Sequence, residues 1–109
     1  MDAGTVSLLA RGLVYVSPVT VWEITRKVAT GKLPRPVPSG FRGSYTDFLA
    51  SEGYLVAAFT WPDAELAATL PDHHRDPTDR MLIATALRMD LTVVTADRVF
   101  RDYGVRTIW

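Results

Sequence analysis

Apolar residues in this chain fall into short runs, and the stretches between them carry helix start and stop signals. Leu13-Val14-Tyr15-Val16 reads as a short buried strand, and residues 5–12 before it as the tail of a helix. Ser17-Pro18 supplies an N-cap with proline at the first helical position, so a helix is expected to about Thr30, with Gly31 as its stop. Residues 32–43 contain Pro34, Pro36, Pro38, Gly40 and Gly43 and read as a loop. Ser44 to Asp47 resembles a capping box that opens a helix to about Glu52. Residues 54–59 read as a strand, and Pro62 opens a short Ala/Leu helix ending near Leu70. Asp76-Pro77 repeats the cap-then-proline signal and starts a helix of about three turns that ends near Met89. Residues 91–95 form a further strand, residues 97–102 a helical turn or two, and residues 105–109 a last strand. Strands alternating with helices predict an α/β fold with a parallel sheet and helical crossovers.

In such a sheet each returning helix starts at the carboxyl edge of the strands, where ligands of open α/β folds collect. Asp97 lies just past a strand, Asp79 in the first turn of a helix, and Glu23 under two turns into a helix that follows a strand. All three acids therefore belong to one edge. Carboxylates brought together repel and raise one another's pKa unless a cation lies between them. Mg²⁺ and Mn²⁺ prefer oxygen ligands and take one or two carboxylates plus substrate phosphate, so a divalent-metal nuclease is the chemistry this pattern suggests.

Each acid also has a purely structural role open to it. Asp79 could cap its helix, although Asp76 is better placed for that. Glu23 precedes Lys27 by four residues, the favourable order for a helical ion pair, but Val21, Trp22 and Ile24 around it suggest a helix buried over much of its girth. Asp97 could cap the turn that follows. His73 and His74 read as exposed loop residues, Asp2 and Asp102 as surface acids, and the three tryptophans as core or interface anchors.

Composition narrows the setting. With 109 residues, 48% hydrophobic and 22% charged, the chain reads as one globular domain spanning residues 1–109. No cysteine means no disulfide or thiolate site, no apolar run is long enough to span a membrane, and no basic leader precedes a hydrophobic stretch; a cytoplasmic protein is expected. Formal net charge is zero, yet the distribution is uneven. Residues 24–46 hold Arg26, Lys27, Lys32, Arg35 and Arg42 with no acid, and residues 47–79 are acidic with Arg75 as the lone base. A basic arm beside an acidic half suits a protein that gathers phosphates at one place and cations at another, or else a solvated face beside an exposed linker.

Three segments carry a resemblance. Val16-Ser17-Pro18-Val19-Thr20-Val21-Trp22-Glu23-Ile24, His74-Arg75-Asp76-Pro77-Thr78-Asp79-Arg80-Met81-Leu82-Ile83-Ala84, and Leu91-Thr92-Val93-Val94-Thr95-Ala96-Asp97 with Phe100 and Tyr103 resemble the PIN-domain family. The likeness is greatest to VapC-type toxins of toxin–antitoxin pairs. It implies a PIN-like three-layer fold and an Mg²⁺- or Mn²⁺-dependent endoribonuclease. A homodimer and a small VapB-like antitoxin are implied as partners. The family's acids fall on Glu23, Asp79 and Asp97, with Thr95 shaping the site. Arg75 and Arg80 are candidates for phosphate or antitoxin contact, and the basic loop at 32–43 for RNA or partner contact.

One element of the family pattern has no match. PIN domains open with a strand carrying an aspartate in a Leu-Asp-Thr/Ser-like motif, and residues 1–12 align instead with the helix before the second family strand; Asp2 is not that aspartate. The resemblance thus implies a missing central strand and helix, with orphaned ladder groups costing roughly 1–3 kcal/mol each. Either the start lies too far downstream or the chain is a decayed or truncated toxin, and the latter implies weak metal binding and little or no cleavage. A second reading is an inactive remnant that binds only an antitoxin or a full-length homologue. A receiver-like phosphotransfer domain would need a later lysine, and none follows Lys32.

Overall fold

The computed structural model describes residues 7–109. Five strands form one sheet: β1 (Ser7–Ala10), β2 (Leu13–Val16), β3 (Leu55–Val56), β4 (Thr92–Val94) and β5 (Thr107–Ile108), in the order β3-β2-β1-β4-β5. The helices are α1 (Pro18–Ala29), α2 (Tyr45–Ser51), α3 (Trp61–Thr69), α4 (Pro77–Met89) and α5 (Val99–Asp102). Among the described residues no helix is long and apolar enough to cross a membrane.

The α/β architecture matches the sequence reading, and the caps are those expected. Ser17 Oγ accepts from the Val19 N–H, Ser44 and Asp47 form a reciprocal capping box, and Asp76 accepts from Thr78 and Asp79. The strands at 54–59 and 105–109 shrink to two residues each.

The start of the described chain departs from expectation. Residues 7–10 are a strand, not the tail of a helix, and that strand occupies the centre of the sheet. It pairs antiparallel with β2 on one side (Leu8 opposite Tyr15) and with β4 on the other (Leu8 opposite Val93), so the middle of the ladder is filled. The sheet is therefore mixed rather than parallel. A two-residue turn, Arg11-Gly12, joins β1 to β2 with φ of 52° and 75°, the doubly positive backbone of a tight hairpin whose twist matches its strands. Such a hairpin forces the antiparallel direction. Ser7-Leu8-Leu9-Ala10 has no strong strand bias of its own; pairing on both sides decides its state.

Because β1 alone runs backwards, β2, β3, β4 and β5 all point the same way and share one carboxyl edge. The core lies under the middle of the sheet, where Leu8 and Val93 meet Leu82, Ile83 and Ala86 of α4, with Phe100, Val105, Ala57 and Leu91 closing it. An ion pair between a buried acid and an arginine at the surface locks α3 to α4. Asp63, 1% exposed, takes hydrogen bonds from the Thr60 N–H, the Thr85 hydroxyl and the Arg88 guanidinium, which also reaches the Ala58 carbonyl. Burial pushes the Asp63 carboxyl up, but those donors together hold it below the ordinary carboxylate range.

Removing Arg88 leaves that carboxylate buried with its main counter-charge gone. Arg88→Met is expected to lower stability by about 3 kcal/mol near neutral pH, read as a lower urea midpoint at unchanged m. The stabilisation belongs to the ionised form of Asp63, so the gap between wild type and variant narrows as pH falls through its depressed pKa.

Candidate active site

Helix α4 explains why Asp79 is unusual. Positions 79, 82, 83 and 86 form one stripe at helical spacing, and Leu82, Ile83 and Ala86 on it are core. Asp79 starts that stripe and is 6% exposed, a carboxylate carried inward by the periodicity that builds the core. Asp76 performs the cap, its Oδ1 accepting from the Thr78 N–H at 2.9 Å and the Asp79 N–H at 3.2 Å. Asp79 is thereby freed from capping.

Two side chains meet this pair of acids. His74 Nε2 lies 2.8 Å from Asp79 Oδ2. The Thr78 hydroxyl lies 2.8 Å from Glu23 Oε2 and 2.7 Å from Asp76 Oδ1. A hydroxyl has one proton to give, so it cannot serve both carboxylates at once. Three acids of one sign thus gather around a deficit of positive charge. Burial pushes the Asp79 carboxyl above its ordinary range; the His74 hydrogen bond opposes this, and the charges of Asp76 and Glu23 push it further up. Asp76 is held lower, burial being outweighed by the Thr78 hydroxyl, the two N–H donors and nearby His74.

Glu23 reaches this place from α1, which starts directly after β2. Its half-buried carboxylate takes Thr78, and no ion pair with Lys27 forms among the described residues. The helix is less enclosed than its sequence suggests: Thr20 and Ile24 are buried, but Trp22 is 62% exposed. Asp97 sits past the end of β4, on the same edge, with the β1 strand between it and β2, a lateral step of roughly 10 Å across two ladder spacings. Its Oδ1 accepts from the Val99 N–H at 3.0 Å, and its own N–H donates to the buried Thr95 hydroxyl at 3.1 Å. Asp97 therefore caps the turn into α5, and Thr95 fixes that turn. The tight group of ligand atoms, all within 4.8 Å of one another, comprises His74, Asp76 and Asp79 among the described residues. Glu23 joins it through Thr78, and Asp97 stands apart from it.

The two arginines singled out from the sequence fare differently. Arg75 is exposed. Arg80 is turned inward: Nε donates to the Ala67 carbonyl, Nη2 to Leu70, and Nη1 to Pro71 and His74. Those bonds leave it clamping the loop between α3 and α4 instead of meeting a phosphate. Tyr103 completes the clamp, its hydroxyl donating to the Pro71 carbonyl at 2.6 Å and accepting the His74 N–H at 2.9 Å. The sequence predicts both histidines of this loop in solvent, and His73 is indeed exposed. His74 is half-buried and pinned instead. The readable signal for it was the five-residue step from His74 to Asp79 across an Asp-Pro helix start.

The chain matches the PIN-domain family over residues 4–105, nearly its whole length. The chain belongs to the PIN-domain family. Searches of curated proteins and of solved structures returned no match. The PIN fold is thus carried here by a mixed five-stranded sheet, and the family is nuclease-like and generally dependent on a divalent metal. The donor set fits such an ion: oxygen-rich, of one charge sign and partly buried, with no donor reaching Asp79 Oδ1 among the described residues. Within this PIN domain the central strand Ser7–Ala10 brings no acid of its own to the edge.

Since the folded protein raises the pKa of Asp79, ionising it costs stability in the absence of metal. In EDTA, the stability of Asp79→Asn relative to wild type is expected to rise as pH climbs from the unfolded carboxylate pKa through the raised folded one. Urea unfolding of both proteins between about pH 4 and pH 7 measures it. A difference that is flat or falls with pH contradicts the assignment.

Proposed function

We propose that this chain is an endoribonuclease of the VapC toxin type, using Mg²⁺ or Mn²⁺ held by Glu23, Asp79 and Asp97 to hydrolyse RNA phosphodiesters. The observation that carries this reading is the buried carboxylate of Asp79 at the sheet's carboxyl edge, crowded by Asp76 and Glu23 with one hydroxyl proton between the latter two. When bound, a divalent cation there supplies a lowered pKa for a coordinated water and charge stabilisation for the leaving oxygen. The protein's own residues do the positioning. Thr78 orients Glu23, Asp76 fixes the first turn of α4, and Thr95 shapes the turn bearing Asp97. Exposed Arg75, together with Lys32 and Arg42 on the basic loop, offers contacts for the RNA backbone. Arg35 is engaged with the Gly43 carbonyl and shapes that loop.

The setting proposed is cytoplasmic, as a homodimer that a VapB-like antitoxin neutralises. Large apolar residues left exposed on α1 and β3, Trp22 at 62% and Val56 at 69%, are in keeping with a protein partner. A second reading is favoured by the acid-free β1: a PIN domain that binds an antitoxin or a homologous chain without cleaving.

Cleavage of a structured RNA by the 109-residue chain in Mn²⁺ separates the two. The nuclease reading expects Mn²⁺-dependent products, with Asp79→Asn and Asp97→Asn each slower by about 100-fold or more, as loss of a metal-organising group would cause. No cleavage by wild type, or equal cleavage by wild type and both variants, rejects it.

A further inference from the structure

Four features besides the three family acids offer chemistry. The ion pair of Asp63 is closed by its partners. The cavity of about 320 Å³ walled by Thr20, Tyr45, Phe48 and Tyr54 is lined by no charged side chain among the described residues. The apolar groove along α1, α2 and β3 has no feature that selects its occupant. The fourth is the imidazole of His74.

That ring is placed with more care than a loop histidine requires. Both polar groups of the His74 backbone are held by distant side chains: the N–H by the Tyr103 hydroxyl at 2.9 Å, and the carbonyl by Arg80 Nη1 at 3.0 Å. The Arg80 side chain is itself 11% exposed and anchored on three further carbonyls. The outcome is Nε2 at 2.8 Å from Asp79 Oδ2, with the ring 30% exposed and so open on one side.

A separation near 3 Å suits a hydrogen bond, and equally suits two neighbouring ligands of one ion bound at about 2.1 Å. Two observations favour the second use. Ligand atoms of His74, Asp76 and Asp79 already lie within 4.8 Å of one another, a span that small side-chain movements close around a cation. The buried Asp79 also shares its surroundings with Asp76 and, through the Thr78 hydroxyl, with Glu23, so three carboxyl groups gather around a single imidazole. Asp76 Oδ1 is taken by the helix cap, which leaves its Oδ2.

We propose that His74 Nε2 is a direct ligand of the divalent ion beside Asp79, making this a mixed nitrogen–oxygen site that prefers Mn²⁺ to Mg²⁺. The inference rests on the metal reading given above and adds a ligand to it. Imidazole nitrogen suits transition ions, whereas Mg²⁺ demands oxygen and near-ideal octahedral geometry.

The test is pulsed electron paramagnetic resonance on the metal-free 109-residue chain loaded with less than one equivalent of Mn²⁺, beside competition by Mg²⁺. The expected result is bound Mn²⁺ with ¹⁴N modulation from a directly coordinated imidazole. In His74→Gln the modulation disappears, and the preference for Mn²⁺ over Mg²⁺ falls about tenfold or more. Thermal unfolding of His74→Gln in EDTA at the wild-type midpoint shows that its fold is intact. Bound Mn²⁺ lacking ¹⁴N modulation overturns the ligand assignment and leaves the metal reading standing. Modulation that persists in His74→Gln also overturns it. Absence of Mn²⁺ binding by wild type overturns both.

Discussion

A carboxylate carried into the protein by the same helical stripe that builds the core is the constraint on which this site depends. Asp79 cannot turn outward without rotating α4, and rotating α4 would withdraw Leu82, Ile83 and Ala86 from Leu8 and Val93. The acid is thus held inside by hydrophobic burial, at an energetic cost that burial itself creates. Asp76 and Glu23 add to that cost through like charge. Such an arrangement makes physical sense when a cation is part of the working state, because the attraction then offsets both the desolvation and the repulsion.

Around this acid the structure is stiff where chemistry would need it to be. Arg80 and Tyr103 fasten the connection between α3 and α4 by its carbonyls, and Asp63 with Arg88 fastens the two helices to each other. Polar side chains so used satisfy backbone groups that a loop would otherwise show to water. Central strand β1 serves the same end from the other side, since its pairing with β2 and β4 sets the spacing between the strand that leads to Glu23 and the strand that leads to Asp97. The edge is organised before any ligand arrives.

Much of this was legible in the residues, for local reasons. Ser17-Pro18, Ser44 with Asp47, and Asp76-Pro77 announce helix starts through chemistry confined to three or four positions, and all three are found. Asp76 as the cap, leaving Asp79 for other work, follows from the same local rule. What could not be read depends on distant partners. Ser7-Leu8-Leu9-Ala10 is a strand because of two neighbours, one of them more than eighty residues away, and its antiparallel sense follows from the Arg11-Gly12 turn. Arg80 looks like a basic residue free for phosphate until its four carbonyl partners are seen, and His74 looks like loop surface until Tyr103 is placed. The Thr78 hydroxyl between Glu23 and Asp76 joins positions 55 residues apart. Asp97, by contrast, does what its position beside a turn allows, holding the turn that leads into α5.

A divalent ion proposed to settle among Glu23, Asp79 and their neighbours gives the buried acid its purpose. Paramagnetic broadening of backbone amide signals by trace Mn²⁺, added to isotope-labelled metal-free protein, reads that location directly. The amides of Glu23, Thr78 and Asp79 are predicted to fade first, well before those of exposed acids such as Asp72 and Asp90. Broadening that begins at Asp72 or Asp90, or spreads evenly over the surface acids, would contradict the account.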